Sequence, residues 1–178
     1  MIKKIIGVLL AFGLLGFIIF ALFVQEKEHS KIISYEDCAS SGYPILESYP
    51  ERCVADGKIF VRNIGNELEK TNLIILDTPK AGSKIFFPLA LSGQARGNWF
   101  FEASFPAEIL DGDGKLLGVG IMTAVGDWMT VEFVPFAGMI ELVEKPRFLY
   151  GTLILRKDNP SGETQFDDSL IVPIIFGD

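Results

Sequence analysis

The chain predicts an all-β fold, because seven short segments rich in β-branched and aromatic residues follow one another between clear turn signals. This spacing is typical of an immunoglobulin-like antiparallel β-sandwich. An uncharged apolar run near the N-terminus predicts a transmembrane helix before the sandwich, and one cysteine pair predicts a small disulfide-stapled unit between them. We therefore expect five parts: a transmembrane anchor at 1–24, a linker at 25–35, the Cys-stapled unit at 36–62, a second linker at 63–72 and the sandwich at 73–178.

The predicted anchor is the segment 5–24, which contains no charged and no strongly polar side chain. A helix of this length spans about 30 Å, the thickness of the hydrocarbon core of a bilayer. Lys3 and Lys4 precede it, and this bias predicts a cytoplasmic N-terminus and an extracytoplasmic C-terminal domain. The alternative is a cleaved signal peptide, but residues 21–24 do not match the usual cleavage site. We expect a single-pass protein of the cell membrane.

The two cysteines, Cys38 and Cys53, both follow the anchor on the side of the membrane where disulfides persist. A bridge between them would stabilise the fold by about 3 kcal/mol through loop entropy. Zinc binding is a weaker alternative, because there is no second cysteine pair and the one histidine is His29. Two free thiols in a reducing compartment are the other alternative. The loop 38–53 would serve as a compact spacer or as an interaction loop, for example a protease-inhibiting one.

Charge and composition limit the classes of function. The chain has 16 Lys and Arg against 23 Asp and Glu, so without Lys3 and Lys4 the predicted extracytoplasmic part has 14 against 23, a net charge of −9. Nucleic acid and anionic lipid head groups require a basic patch and are therefore not expected as partners. Because His29 lies in the first linker, the folded units lack a Ser-His-Asp or Cys-His arrangement. We expect no enzymatic activity, no metal and no cofactor.

Turn formers separate the seven predicted strands of the sandwich. The sequence DGDG at 111–114 predicts a tight hairpin turn. Pro173 predicts that the last strand lies at a sheet edge or contains a bulge. Alternation in the third strand predicts a core-facing set that consists of Trp99, Phe101, Ala103 and Phe105. The strands are predicted at 73–77, 89–95, 99–110, 115–125, 133–143, 148–156 and 169–176.

The succession of strands predicts which loops meet. In an up-and-down order, one end gathers the loops at 96–98, 126–132 and 157–168. The opposite end gathers the loops at 78–88, 111–114 and 144–147. The first end holds both tryptophans, and loops at one end of a rigid sandwich commonly bind partners. Alternatively, the tryptophans fill the end of the core and the acidic residues cap turns. The candidate binding surface consists of Arg96, Asn98, Trp99, Asp127, Trp128, Asp158, Asn159, Asp167 and Asp168.

Two other functions stay open as alternatives. The acidic residues of the loop 157–168 offer the oxygen donors that calcium prefers, which would suit a calcium-stabilised adhesion module. Their alternative role is to stabilise their own loop. A carboxylate-dependent envelope hydrolase would use paired acids, with Glu102 on a strand among aromatic residues. Such an acid more often pairs with an arginine, here Arg96 or Arg156.

Three segments also carry a family likeness: RGNWFFEASFPAEILDGDGKLLG at 96–118, GDWMTVEFVPF at 126–136 and GTLILRKDNPSGETQFDDS at 151–169. Together they resemble the immunoglobulin-like domain associated with GerMN domains of bacterial spore-germination proteins, over about residues 73–176. The resemblance implies an extracytoplasmic sandwich beside a membrane anchor, without a catalytic centre. The chain lacks a GerMN domain, so the expected function is a membrane-anchored binding or structural module of the bacterial cell envelope. Its partner would be a protein or the cell wall.

Overall fold

Strands dominate the structure, a computed structural model that describes residues 31–177. The all-β prediction is confirmed for this part of the chain. The predicted transmembrane segment 5–24 lies outside the described residues, and none of the helices within 31–177 is long and apolar enough to span a bilayer. From Ser34 onwards the chain forms one compact unit that contains two sheets.

The first sheet is small and follows a short helix. The helix α1 (Tyr35–Ser40) begins with a capping box, in which the Ser34 hydroxyl accepts a hydrogen bond from the Asp37 N–H and the Asp37 carboxylate accepts one from the Ser34 N–H. An antiparallel three-stranded sheet follows, formed by β1 (Ile45–Leu46), β2 (Arg52–Ala55) and β3 (Lys58–Val61).

The disulfide joins this helix to this sheet. Cys38 of α1 is bonded to Cys53 of β2, and both side chains are fully buried, so the predicted bridge is confirmed. A second link is polar: the Tyr35 hydroxyl donates to the Glu51 carboxylate at 2.5 Å, and Arg62 pairs with Glu51 at 3.2 Å. Burial first, and then the Glu51 contact, raise the pKa of Tyr35. The helix α1 is therefore bound to β2 by the disulfide and, through Glu51 and Arg62, to the residues that directly precede and follow the β2–β3 hairpin.

The segment 63–72, predicted as a linker, packs on the larger sheet. Ile64 is buried in the common core, and the short helix α2 (Glu67–Lys70) follows it. The Asn66 side chain imitates a strand partner: its amide donates to the Ser169 carbonyl at 2.9 Å, and its oxygen accepts from the Ile171 N–H at 2.7 Å. This arrangement satisfies backbone groups on the free side of the last strand.

The larger sheet has the strand order β4-β6-β9-β8-β7-β10-β11-β5. Every pairing is antiparallel except the short parallel contact between β5 and β11. The sheet has two halves, β4-β6-β9 and β8-β7-β10-β11-β5, which are joined where β8 and β9 pair over three residues. The strands are β4 (Ile74–Thr78), β5 (Lys84–Ile85), β6 (Leu89–Arg96), β7 (Ser104–Asp111), β8 (Leu116–Ala124), β9 (Phe133–Ile140), β10 (Tyr150–Arg156) and β11 (Ser169–Phe176).

One apolar cluster fills the space between the halves of this sheet. Alternate side chains of β6, β7, β9 and β11 are buried in it, as period-two strands with one covered face require. Phe105 of β7 meets Phe136 of β9 edge to face, with ring centroids 5.0 Å apart, although β8 separates these strands in the sheet. The contact therefore crosses the interior, and the sheet folds over its own core in a sandwich-like arrangement.

The third predicted strand begins later than expected. Residues Gly97–Trp99 form a 3₁₀ turn, and β7 starts only at Ser104. Glu102 and Ala103 have φ angles of 47° and 63°, a left-handed pair that shifts the alternation. Phe100 is consequently buried and Phe101 exposed, so the predicted placement of Phe101 on the core face is wrong.

Pro173 has the edge location that its missing N–H requires. Its carbonyl accepts from the Gly82 N–H at 2.8 Å, away from β10, and within a strand the nitrogen and carbonyl of one residue point to the same side. The nitrogen therefore faces the edge of the sheet, where β5 pairs only with Ile175 and Phe176. No ladder hydrogen bond with β10 is lost, which explains why proline is tolerated there.

We expect the double variant Cys38→Ala, Cys53→Ala to lose about 3 kcal/mol of unfolding free energy, because the bridge closes a loop with a sequence separation of 15. Chemical denaturation of the oxidised full chain and of the variant would measure this loss. Wild-type protein treated with reductant is the control and should unfold at the denaturant concentration of the variant. Equal midpoints for oxidised and variant protein would contradict the expectation.

Candidate functional site

Three loops meet at one end of the sandwich, which we call the tryptophan end and define as residues 96–103, 125–132 and 157–168. The Asp158 N–H donates to the Trp99 carbonyl at 3.0 Å, and the Gly97 N–H donates to the Glu132 carbonyl at 3.2 Å. A Cβ atom at Gly97 would lie 1.9 Å from the Thr130 carbonyl oxygen, so the close approach of the loops depends on glycine there.

Arg96 holds the backbone of the tryptophan end in place. Its guanidinium donates to the Val131 carbonyl, and its Nε donates to the Asn72 carbonyl, both at 3.1 Å. The same group lies 4.1 Å from the ring centroid of Phe133, a cation–π distance. The predicted binding role of Arg96 is therefore better described as support, because its donors are engaged by the loop that it holds.

The two tryptophans differ in location. Trp99 is only 1 % exposed and packs edge to face on Phe105, so its ring belongs to the core and its predicted place on the binding surface is wrong. Among the described residues, its Nε1–H has no hydrogen-bond partner. Trp128 is half-buried against the same core. Alternation predicted Trp99 on the core face, and that placement is confirmed, although Trp99 lies in the 3₁₀ turn Gly97–Trp99 and not on a strand.

The polar residues of the candidate surface mostly stabilise their own loops. The Asn159 side chain donates to the Asp167 carboxylate at 2.7 Å and accepts from the Ser161 hydroxyl at 2.6 Å. Asp168 pairs with Lys70 at 2.5 Å, and the Asp127 carboxylate accepts from the Met129 N–H at 3.0 Å. The Asp127 bond is of the Asx type, the Asn159 bonds hold the loop 157–168 together, and the Asp168 ion pair connects that loop to α2. Asn98 is exposed, and the Asp158 side chain is half-buried.

The geometry gives little support to the alternatives of calcium binding and hydrolysis. Within residues 31–177, no group of three or more His, Cys, Asp or Glu is placed to hold a metal ion. Glu102 lies exposed in the left-handed turn, so its predicted place on a strand among aromatic residues is wrong. The strand acid is Glu108, which pairs with Arg156 at 2.8 Å and raises the pKa of that guanidinium.

Sequence reasoning missed the apolar side chains that the tryptophan end exposes. Met129 and Val131 are 78 % and 80 % exposed, in the loop that Arg96 holds. Phe101, Val125 and Phe166 are also exposed at this end. A signal was present, since Met129 and Val131 sit among turn-forming residues, where no strand could cover them. Large apolar side chains on loops with fixed backbones are typical of recognition surfaces.

Asp111, the first residue of the DGDG turn, organises the opposite end. The hairpin itself is confirmed, because β7 and β8 pair on either side of DGDG. Asp111 is 2 % exposed, and its carboxylate accepts from the N–H groups of Gly112 at 2.8 Å, Arg147 at 2.9 Å and Phe148 at 3.3 Å. Burial acts to raise the pKa of Asp111, but the three backbone donors outweigh it and hold the pKa below its ordinary value.

These features define an all-β, sandwich-like module with a buried disulfide and apolar side chains on the loops of one end. Comparison of the chain with protein-family models, with curated proteins and with solved structures gave no match. The function therefore has to be inferred from the chain itself.

The burial of Trp99 predicts that the Trp99→Ala variant loses about 3–5 kcal/mol of unfolding free energy, as large core truncations do. The Met129→Ala variant, from the same end, should stay within about 0.5 kcal/mol of wild type because that side chain is exposed. Denaturant titration of the two purified variants would measure both values. A small loss for Trp99→Ala would show that the ring is a surface group after all.

The Asp111 contacts predict a pH-dependent loss in the Asp111→Asn variant. A carboxyl group with a lowered folded pKa stabilises the fold above its unfolded pKa of about 3.9, and the stabilisation disappears as the pH falls through the folded value. Thermal melts at neutral and acidic pH should therefore show a lower Tm for the variant near pH 7 and a shrinking difference below about pH 4. Asp113→Asn, an exposed change in the same turn, is the control. A difference that is independent of pH would contradict this account.

Proposed function

We propose that this protein is a membrane-anchored extracytoplasmic module of the bacterial cell envelope that binds a partner through the tryptophan end. The observation that carries the proposal is the pair Met129 and Val131, two strongly exposed apolar side chains on a loop whose backbone is held by Arg96 and Gly97. A surface that is both apolar and fixed loses little conformational entropy when a partner covers it. Binding or structural support, without chemistry, is the function that this surface suits best.

The location part of the proposal rests on two independent features. The segment 5–24 has the length and composition of a membrane-spanning helix, with Lys3 and Lys4 on its N-terminal side. The disulfide between Cys38 and Cys53 is typical of oxidising compartments outside the cytoplasm. Both features favour a chain that is anchored near its N-terminus and folds on the outer side of the membrane.

The class of the sandwich is proposed on its strand order. β4, β6 and β9 form one group, and β8, β7, β10 and β11 form the other, with the short strand β5 added in parallel to β11. Two groups of antiparallel strands packed face to face are the architecture of an immunoglobulin-like sandwich. The resemblance of residues 73–176 to the immunoglobulin-like domain of spore-germination proteins supports the same class. A role related to germination belongs to this proposal only through that resemblance.

A photo-crosslinking amino acid placed at Val131 in the full chain tests the partner surface in intact cells. The expected result is a discrete crosslinked species at Val131, because an exposed apolar side chain at the centre of the surface would contact the partner. Val119 on β8 is the matched control: it is also an exposed valine, but it lies on the outer face of the sheet.

Digestion of the crosslinked product with a cell-wall hydrolase and with a protease separates the two classes of partner. A crosslinked species whose mass falls only after treatment with the wall hydrolase indicates a glycan partner. A species that protease converts to a defined peptide adduct indicates a protein partner. Crosslinking of equal strength at Val131 and Val119, or none at either position, would disprove a binding role for the tryptophan end. Met129→Ser should reduce the crosslink at Val131 and leave the Tm unchanged.

A further inference from the structure

A second apolar surface lies at the end opposite to the tryptophan end. A cleft of about 600 Å³ is lined by side chains from the β5–β6 and β9–β10 connections. Phe86 is 59 % exposed and Phe148 is 48 % exposed, and Leu149 beside them is exposed as well. Two basic residues, Lys145 and Arg147, line the same cleft. We call the set Phe86, Lys145, Arg147, Phe148 and Leu149 the aromatic-basic patch.

The backbone beneath this patch is fixed. The Asp111 carboxylate accepts from the N–H groups of Arg147 and Phe148, and the Phe176 N–H donates to the Leu149 carbonyl at 2.8 Å. The apolar side chains therefore stay exposed on a fixed backbone. A mobile loop is the alternative for such residues, and the two part-buried hydrogen bonds from Arg147 and Phe148 to one carboxylate argue against it.

The local charge of the patch is opposite to that of the whole chain. Lys145 and Arg147 make no ion pair within 4.0 Å in the described part of the protein, whereas Lys115 beside them is already paired with Glu144. The Lys115 hydrogen bond lowers the pKa of Glu144, and the nearby charge of Arg147 lowers it further. Arg147 also lowers the pKa of Asp111, so its charge is partly balanced by these two carboxylates without a close ion pair. Two basic side chains beside exposed Phe and Leu side chains match the chemistry of a lipid surface with anionic head groups.

The folded unit begins at the end that carries the patch. Glu36, in the first turn of α1, lines one cleft together with Gly112, Gly114 and Tyr150. Only residues 25–33 separate Ser34 from the apolar segment 5–24. At about 3.3–3.6 Å per residue, this connection reaches about 30 Å at most. A membrane anchor at 5–24 would thus limit the distance between the patch and the bilayer, and such a limit raises an effective concentration.

We propose that the aromatic-basic patch rests on the bilayer that holds the protein's own anchor, with Phe86, Phe148 and Leu149 at the head-group level and with Lys145 and Arg147 against lipid phosphates. The inference builds on the proposed membrane anchor. It also orients the module, since the tryptophan end lies at the other end of the strands and faces away from the membrane.

Fluorescence quenching in vesicles tests this orientation with the full chain. The chain is reconstituted in vesicles of phosphatidylcholine and phosphatidylglycerol that contain a lipid with a nitroxide on its head group. Two variants each add one indole: Phe148→Trp in the patch, and Val131→Trp at the tryptophan end as the matched control. Because interfacial aromatic rings lie at the head-group level, we expect the Phe148→Trp variant to lose at least about twofold more of its added fluorescence than the control.

Charge reversal in the same background checks the basic residues. Adding Lys145→Glu and Arg147→Glu to the Phe148→Trp variant should weaken the quenching in these anionic vesicles and restore it partly at high salt, because like charges repel and salt screens the repulsion. Quenching that is altered neither by the two charge reversals nor by high salt would overturn the role of the two cations. An added indole that is shielded from the lipid nitroxide and from an aqueous quencher alike would identify a second protein copy as the occupant, which also overturns the proposal.

A carbonate wash separates the two levels of the inference. A chain that is retained in the vesicles but shows equal quenching for the Phe148→Trp and Val131→Trp variants refutes the patch and leaves the anchor intact. A chain that washes off refutes the anchor, and the tethered contact with it. Retention together with selective quenching of the Phe148→Trp variant supports both.

Discussion

The burial of one face of every long strand in a single core is the constraint on which the rest of the structure depends. Phe105, Phe136 and their neighbours can pack only if the eight-stranded sheet folds over itself, and this folding sends all connections to two ends. The conformation of the loops at either end therefore depends on the packing of the core. Trp99 shows the consequence, because the same ring that completes the core also fixes the backbone to which Asp158 donates.

Each end is secured by one charged side chain that binds backbone atoms. Arg96 donates to two carbonyl groups of flanking segments, and Asp111 accepts from three N–H groups. A charged group that satisfies several backbone partners fixes a loop more firmly than contacts between exposed side chains do. The exposed apolar residues of both ends therefore lie on loops whose backbone conformation is already fixed. This preorganisation distinguishes a recognition surface from a flexible loop.

The sequence predicted the strands well because their signal is local. All seven predicted strands are present, and the disulfide and the DGDG hairpin are confirmed. The errors come from non-local causes. The left-handed pair Glu102 and Ala103 shifts the alternation, so Phe101 is exposed, whereas Trp99 is buried as the alternation predicted. The surface was predicted from polar residues, whereas several of them are engaged in hydrogen bonds or ion pairs within the fold and the strongly exposed apolar side chains are Met129 and Val131.

The same distinction between composition and location applies to charge. A net charge of −9, which is 14 Lys and Arg against 23 Asp and Glu without Lys3 and Lys4, argued against anionic lipid head groups as a partner. Charge acts over about 10 Å in salt, so only the local arrangement matters. Glu144 is paired with Lys115, and the Asp111 carboxylate is buried and hydrogen-bonded, which leaves Lys145 and Arg147 as the cations beside the exposed phenylalanines. An acidic module can therefore carry one locally basic end. In the orientation that we propose, attraction at that end and repulsion of the remaining acidic surface would act in the same direction.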